Sequence, residues 1–247
     1  MLENRLLDIN ENIYLDSTQA FKSLCEAHLS AYDLQRESLN FVPLEGSWFA
    51  NSEHSFHLDE EINKFLASDR KVLLLLGDSG AGKSLYTQGL VNKLWQTCSS
   101  QDPIPLWISL PALKNPVDNL VQEYFKQFGF TDTQINSLQK NQSFVFILDA
   151  YDEIRILKNL YVTNQLGNWK AKIIMTCRRE YLYSVDNYKL YFAPFHREKA
   201  QYHAYTEIIV KPFKENQIEQ YLQQYVKNQE TEWKDWRQYQ KSIETIS

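Results

Sequence analysis

Three carboxylates follow directly on a run of apolar residues in the stretch FVFILDAYDEI, which spans residues 144–154. They belong to Asp149, Asp152 and Glu153. Like charges at this spacing repel one another, and the repulsion favours their protonated forms unless a cation or an opposing charge lies among them. A strand that ends in this way therefore predicts a positively charged partner elsewhere in the chain.

A glycine-rich stretch upstream supplies that partner. Residues 77–84 read GDSGAGKS and match G-x-x-x-x-G-K-[ST], the phosphate-binding P-loop. Its glycines let the backbone adopt strained dihedral angles and approach phosphates closely, and the loop amides and the following helix N-terminus form an anion site. The Lys83 ammonium is expected on the β- and γ-phosphates. The predicted nucleotide contacts along this stretch are Gly77, Asp78, Ser79, Gly80, Ala81, Gly82, Lys83, Ser84 and Leu85.

The carboxylates and the P-loop together predict a magnesium-dependent site for nucleotide hydrolysis. Asp149, at the end of its apolar strand, is placed to hold Mg²⁺ through water, and the Ser84 hydroxyl is the other predicted metal ligand. Either Asp152 or Glu153 is expected to orient or activate the water that attacks the γ-phosphate, and spacing leaves both assignments open. The simpler alternative for the cluster is a solvated acidic helix cap after a buried strand.

These motifs lie in a chain whose apolar runs alternate with helical patterns. The predicted strands cover residues 71–76, 104–110, 144–149, 172–176 and 207–210, and helical patterns cover 57–68, 85–96 and 118–130, where Gly129 is the expected stop. The strands show little polar alternation, which favours burial on both faces of a parallel sheet. We therefore predict an α/β three-layer sandwich with a parallel five-stranded sheet, of the P-loop class that has an additional strand beside the P-loop strand.

A third group of polar residues follows the fourth predicted strand, which ends in MTCRRE. This places Thr176 and Arg178 at the carboxyl edge of the sheet, where open α/β sheets bind ligands. An arginine there can sense or stabilise the charge of the γ-phosphate. The alternative is that Arg178, or its neighbour Arg179, pairs with a nearby carboxylate.

Composition excludes several other classes of function. The 247 residues carry a net charge of −5, so no overall positive field attracts nucleic acid or anionic lipid. No segment approaches about 18 consecutive apolar residues, and the first residues do not resemble a secretory signal. Three scattered cysteines favour a reducing cytosol over a disulfide framework or a zinc site. We expect a cytoplasmic protein, or one in the cytosol of a host cell if it is a secreted effector.

The stretches LLLLGDSGAGKS, IPLWISLP, FVFILDAYDE, KIIMTCR and VKPFKENQIEQYL, taken in this order, resemble NACHT domains of the STAND group of signalling NTPases. The most specific piece is LDAYDE, because NACHT domains carry apolar residues, an aspartate, a small residue, an apolar or aromatic residue and then Asp-Glu. The resemblance covers roughly residues 41–240 and implies that Val42 and Pro43 contact the nucleobase. The family commonly has Thr-Ser-Arg-Pro where this chain has Thr-Cys-Arg-Arg at 176–179, so the turn proline is missing here.

The resemblance also implies the domain organisation. We expect a helical N-terminal region and linker at 1–45, the nucleotide-binding domain at 46–212, and the start of a following helical domain at 213–247. Family members continue into helical and winged-helix modules that supply a proline and a histidine to close over the nucleotide. We expect such modules, and the signal input and output, to lie outside these residues in a larger protein.

The function implied by the resemblance is an ATP- or GTP-operated switch with slow Mg²⁺-dependent hydrolysis and self-association on activation. The alternative is an AAA-like remodelling or loader ATPase, which needs an arginine finger from a neighbour and a basic groove; Arg197 is a candidate finger. The acidic balance argues against nucleic acid as a partner. A small-molecule kinase and a scaffold without activity fit the motifs less well, since a scaffold needs neither Lys83 nor Asp149.

Overall fold

The computed structural model describes residues 23–28, 42–97 and 102–228, and side chains as far as residue 224. Within these ranges one mixed sheet forms the centre of the molecule. Its strands are β1 (Glu45–Ser47), β2 (Phe56–His57), β3 (Val72–Gly77), β4 (Ile104–Ser109), β5 (Ser143–Asp149), β6 (Lys170–Arg178) and β9 (Tyr205–Val210), while β7 (Phe195–His196) and β8 (Lys199–Ala200) form a separate hairpin.

The strand order is β2-β1-β9-β3-β6-β5-β4, and the five strands from β9 to β4 are parallel. The additional strand is β6, which lies between the P-loop strand β3 and the acidic strand β5. Pro105 lies in β4, an edge strand of the described sheet, which is where proline is tolerated in sheets. The predicted parallel sheet is therefore confirmed, with strand bounds that shift by one or two residues at most ends.

Helices cover the sheet. They are α1 (Leu58–Ala67), α2 (Lys83–Thr97), α3 (Leu120–Gln127), α4 (Asp132–Asn141), α5 (Leu160–Thr163), α6 (Arg179–Leu182) and α7 (Glu215–Asn228). The apolar runs of β3 and β5 are buried, and all six residues of β3 lie in the core. Because both faces of these strands are covered, their sequences lack the alternation of a half-exposed strand.

The predicted count of five strands is too low, because the described part of the sheet has seven. The two additional strands, β1 and β2, pair antiparallel at the edge next to β9. They have three and two residues, too few for a period of two to show in the sequence. Their position places residues 42–44 beside the P-loop: a Cβ atom added to Gly82 would lie 3.9 Å from Leu44 Cδ1.

Helix α4 was also absent from the sequence prediction, although its start signal is present. Thr131 caps the helix by accepting a hydrogen bond from the Gln134 N–H group, and the Gln134 side chain accepts one from the Thr131 N–H group. This reciprocal capping box is a recognised N-terminal signature. The preceding helix α3 ends at Gln127, and the predicted stop Gly129 follows two residues later with a φ of 83°, in the left-handed region.

Part of the predicted N-terminal helical region can be described. Residues 23–28 are helical, and Leu24 is fully buried in the core. The buried His28 ring forms a 2.8 Å hydrogen bond between Nε2 and the Tyr124 hydroxyl of α3, and burial lowers the pKa of His28 to about 4. This segment therefore packs against α3 and the hydrophobic core. Residues 1–22, 29–41, 98–101 and 229–247 lie outside the described residues, and they include most of the region predicted at 1–45 and the last part of the region predicted at 213–247.

None of the helices within the described ranges combines the length and apolarity that crossing a lipid bilayer requires.

Gly46 tests how tightly β1 is held against the sheet. A Cβ atom at this position would lie 2.7 Å from Ile208 Cγ2 and 2.9 Å from Phe56 Cε2. We expect Gly46→Ala to lower the free energy of unfolding by about 1–3 kcal/mol, because the buried Ile208 and the partly buried Phe56 must move. Urea denaturation measures the change. Gly167→Ala is the matched control, since its first obstacle is the tip of the Tyr161 side chain at 3.1 Å; an equal loss in both variants would contradict the packing argument.

Candidate functional site

The P-loop connects β3 to α2 at the carboxyl edge of the sheet. β3 ends at Gly77 and α2 begins at Lys83. Gly80 and Gly82 have φ angles of 76° and 80°, a left-handed conformation that strains any residue with a Cβ atom. The predicted role of these glycines is therefore visible in the backbone. The loop amides and the N-terminus of the 15-residue helix α2 therefore lie next to each other, as an anion site requires.

The Lys83 ammonium lies inside this loop rather than in solvent. Its Nζ atom donates to the carbonyl oxygens of Gly77 at 2.8 Å and of Asp78 at 3.0 Å. Burial lowers the pKa of Lys83, and the charges of Asp152 and Glu180 act in the opposite direction. The residue is only 9% exposed. The cation is thus held in the hollow of the loop by weak, neutral acceptors, which a phosphate oxygen can replace.

The Thr176 hydroxyl joins the acidic strand to its neighbour β6. Its Oγ1 atom donates to Asp149 Oδ1 at 2.7 Å and accepts from the Ala150 N–H group at 2.8 Å. Asp149 is buried at 4% exposure. Ala150 has a φ of 63°, and this left-handed turn carries the chain from β5 into the 3₁₀ turn Tyr151–Ile154. A small side chain limits the strain at that position.

Arg178 is the positive partner of the other two carboxylates. Its Nε atom lies 3.2 Å from Asp152 Oδ2, and its Nη2 atom lies 3.1 Å from Glu153 Oε1. The backbone N–H group of Arg178 also donates a hydrogen bond to Asp152 Oδ1 at 2.9 Å. Asp152 has a side chain that is 8% exposed, whereas the Glu153 side chain is 47% exposed. The alternative that Arg178 pairs with a carboxylate is therefore realised in the structure, and its predicted role toward the γ-phosphate stays a prediction.

The neighbouring Arg179 points to the P-loop instead. Its Nη1 atom lies 3.4 Å from Asp78 Oδ1, and its guanidinium carbon lies 5.9 Å from the centre of the Tyr183 ring. The alternative that Arg179 pairs with a nearby carboxylate is therefore present in the structure as well. The signal in the sequence was the pair of adjacent arginines, of which Arg178 ends β6 and Arg179 begins α6.

A cleft of about 610 Å³ opens beside the P-loop. Val42 lines it and Pro43 does not, although the Pro43 carbonyl accepts a hydrogen bond from Gln217 Nε2 at 2.8 Å. Their contact with a nucleobase stays a prediction. The lining residues are Val42, Leu44, Asp78, Ser79, Gly80, Ala81, Gly82, Leu85, Tyr86, Val210, Lys211, Pro212, Phe213, Ile218 and Tyr221. The lining residues Leu44, Tyr86 and those between 210 and 221 were not predicted, because they meet only through the folding together of segments that are distant in the sequence.

The donor set fits Mg²⁺ bound together with a nucleotide. Within the described ranges, no three His, Cys, Asp or Glu side chains converge on one metal position. Mg²⁺ at phosphate sites takes one or two protein ligands and completes its shell with phosphate oxygens and water. Asp149 and the exposed Ser84 are the residues that would hold it.

Thr176 provides a direct test of how the acidic strand end is held. We expect Thr176→Val to lower the free energy of unfolding by about 1–3 kcal/mol, because it leaves the buried Asp149 carboxylate and the Ala150 N–H group without their partner. Thr176→Ser keeps the hydroxyl and is the matched control. Chemical denaturation of the two variants should separate them clearly, and equal stabilities would mean that the hydroxyl is unimportant to this site.

Comparison with known proteins gives a family for this geometry. The sequence matches the NACHT domain family over residues 71–229. No protein of curated function matches it. The fold is similar to a chain in the structure of Drosophila ORC bound to DNA, with a TM-score of 0.44, 16% identity and coverage of 81% of this chain and 51% of the other.

A chain in the E. coli MS115-1 HORMA:CdnC:Trip13 complex is similar with a TM-score of 0.39 and 15% identity, covering 91% of this chain and 71% of that one. This chain spans about half of the length of the Drosophila ORC chain. These low structural scores carry no argument about function. The NACHT match spans more than half of the chain and contains the P-loop, the acidic strand end and β6. The chain belongs to the NACHT domain family of P-loop NTPases.

Proposed function

We propose that this NACHT module is a nucleotide-operated signalling switch that hydrolyses ATP or GTP slowly with Mg²⁺. The observation that supports the proposal is that α7 and the P-loop line one cleft. Ile218 and Tyr221 of α7 face the same space as Ser79–Gly82. A ligand in the cleft would contact both, so its presence would bias the position of the helix that leads out of the domain.

The cleft has a polar and an apolar part that suit the two ends of a nucleotide. The P-loop and Lys83 would bind the phosphates. Val42, Phe213 and Tyr221 would form apolar walls for a base. Gln217 ties α7 to the segment 42–44 through the Pro43 carbonyl. Movement of α7 would therefore reach both walls of this part of the cleft.

The end of β6 gives the module a second connection between its nucleotide motifs. Thr176 contacts Asp149, Arg178 contacts Asp152 and Glu153, and Arg179 contacts Asp78. We assign Glu153 to the attacking water, because its side chain is half exposed and held by a single ion pair. The buried Asp152, which also bonds the Arg178 backbone, would instead fix Arg178. Mg²⁺ held by Asp149 and Ser84 would offset the negative charge of the phosphates.

The wider role follows from the same proposal. The module would act in the cytoplasm as part of a longer protein, with other modules as its contacts and self-association on activation. The remodelling or loader alternative predicts that DNA or RNA stimulates hydrolysis. The net charge of −5 favours the switch, and unchanged hydrolysis on adding nucleic acid would agree with it.

Lys83→Ala is the test of the P-loop assignment. We expect at least a thirtyfold loss of nucleotide affinity. Lys83 would form a buried charge pair with the phosphates, and removing the cation from such a pair costs about 2 kcal/mol or more. Equilibrium titration with fluorescent ATP and GTP measures the loss. Lys93→Ala is the control on the same helix, where Lys93 pairs with Asp59 at 3.2 Å. Normal affinity in Lys83→Ala would remove the nucleotide assignment.

Glu153→Gln tests the assignment of the water-activating residue. We expect nucleotide affinity to stay within about threefold and turnover to fall by about 100-fold or more, the range of general-base catalysis. Phosphate release under single-turnover conditions gives the rate. Asp152→Asn is the comparison, and we expect it to affect binding and turnover together by freeing Arg178. If Asp152→Asn alone stopped turnover while binding stayed normal, the water role would belong to Asp152.

A further inference from the structure

We propose that Arg179 acts as a positioning residue that neutralises Asp78, a carboxylate inside the phosphate-binding loop, and so permits tight binding of a nucleoside triphosphate. The inference rests on the proposed nucleotide function and adds a specific electrostatic requirement to it. The pair lies where this chain departs from the Thr-Ser-Arg-Pro pattern, since Arg179 stands at the proline position.

Asp78 is an unfavourable residue for an anion site. It follows Gly77 directly in the P-loop, its side chain is 49% exposed, and it lines the cleft. A triphosphate brought to the loop would meet this negative charge, and like charges repel more strongly in a partly desolvated site than in water. The loop therefore needs a compensating cation close to Asp78.

The surroundings make this need greater. Lys83 is the cation within the loop, and the charges of Asp152 and Glu180 already act on it. The carboxylates near this edge are Asp78, Asp149, Asp152, Glu153 and Glu180, against the cations Lys83, Arg178, Arg179 and the cleft-lining Lys211. Because acidic groups outnumber basic ones here, the loss of one cation should lower the affinity for an anionic ligand.

Arg179 is the cation that the geometry assigns to Asp78. Its Nη1 atom lies 3.4 Å from Asp78 Oδ1, and its side chain is 25% exposed. The ring of Tyr183, one turn further on, lies 5.9 Å from the guanidinium carbon, within the range of a cation–π contact. Arg178 is engaged on the other side by Asp152 and Glu153. The two adjacent arginines thus serve different carboxylates.

Neutralisation and direct phosphate contact by Arg179 make different predictions. If Arg179 cancels the charge of Asp78, removing that charge makes the arginine dispensable. If Arg179 instead binds the ligand, removing the charge of Asp78 does not replace it. Neutralisation also predicts a larger effect on a triphosphate than on a diphosphate, since repulsion grows with the charge of the ligand.

The experiment is a double-mutant cycle on the 247-residue chain with wild type, Arg179→Ala, Asp78→Asn and the double variant. Titration with non-hydrolysable analogues of ATP and GTP and with ADP and GDP, all with Mg²⁺ at low and high salt, gives the dissociation constants. For the base that wild type binds, we expect Arg179→Ala to weaken the triphosphate analogue about tenfold at low salt and less at high salt, and the diphosphate by a smaller factor. The double variant should return to within about threefold of wild type.

Arg179→Lys keeps the charge and should retain most of the affinity. This control distinguishes the loss of the charge from a loss of folding in Arg179→Ala. A double variant as weak as Arg179→Ala would overturn neutralisation and indicate direct contact with the ligand. Unchanged affinity in Arg179→Ala would overturn the proposal as well. Failure of the nucleotide function itself would look different, because wild type would then bind no nucleotide or Lys83→Ala would bind as tightly as wild type.

Discussion

The pairing of β6 with both β3 and β5 is the constraint on which the site depends. Register places Gly77 opposite Arg178 and Leu148 opposite Met175, so the ends of the three strands reach the same edge. Residues from one short stretch of β6 can therefore contact the P-loop on one side and the acidic turn on the other. Without β6 between them, the P-loop strand β3 and the acidic strand β5 would be direct neighbours. The carboxylates after β5 would then lack Arg178.

Charge compensation at this edge explains how so many carboxylates are tolerated in one place. The buried Asp149 is held by a hydroxyl, and Asp152 and Glu153 share Arg178. None of these interactions consumes Lys83, whose partners are backbone carbonyl groups. The cation that suits phosphate is thus kept available while the acidic groups are satisfied by other residues. This division of roles is the feature that favours a nucleotide site over a solvated acidic cap.

Sequence reasoning predicted the parts of the fold that depend on local pattern. Apolar runs identified the five parallel strands, and the P-loop motif located Lys83. It missed α4 although the capping box at Thr131 was readable, and it missed β1 and β2 because such short strands have no period. Pairings such as Arg179 with Asp78, and the cleft walls from Leu44 and Tyr221, depend on tertiary contacts between segments far apart in sequence. Spacing also left Asp152 and Glu153 equivalent, whereas burial distinguishes them.

Identification and titration of the bound nucleotide tests the central claim most directly. The purified chain would be denatured, the released nucleotide identified by chromatography, and the refilled or empty protein titrated with labelled ATP, GTP and their diphosphates, with Mg²⁺ and with EDTA. The account predicts one site per chain that binds a purine nucleotide and loses triphosphate affinity when Mg²⁺ is removed. Absence of any copurified nucleotide, together with no saturable binding of any of the four, would contradict it.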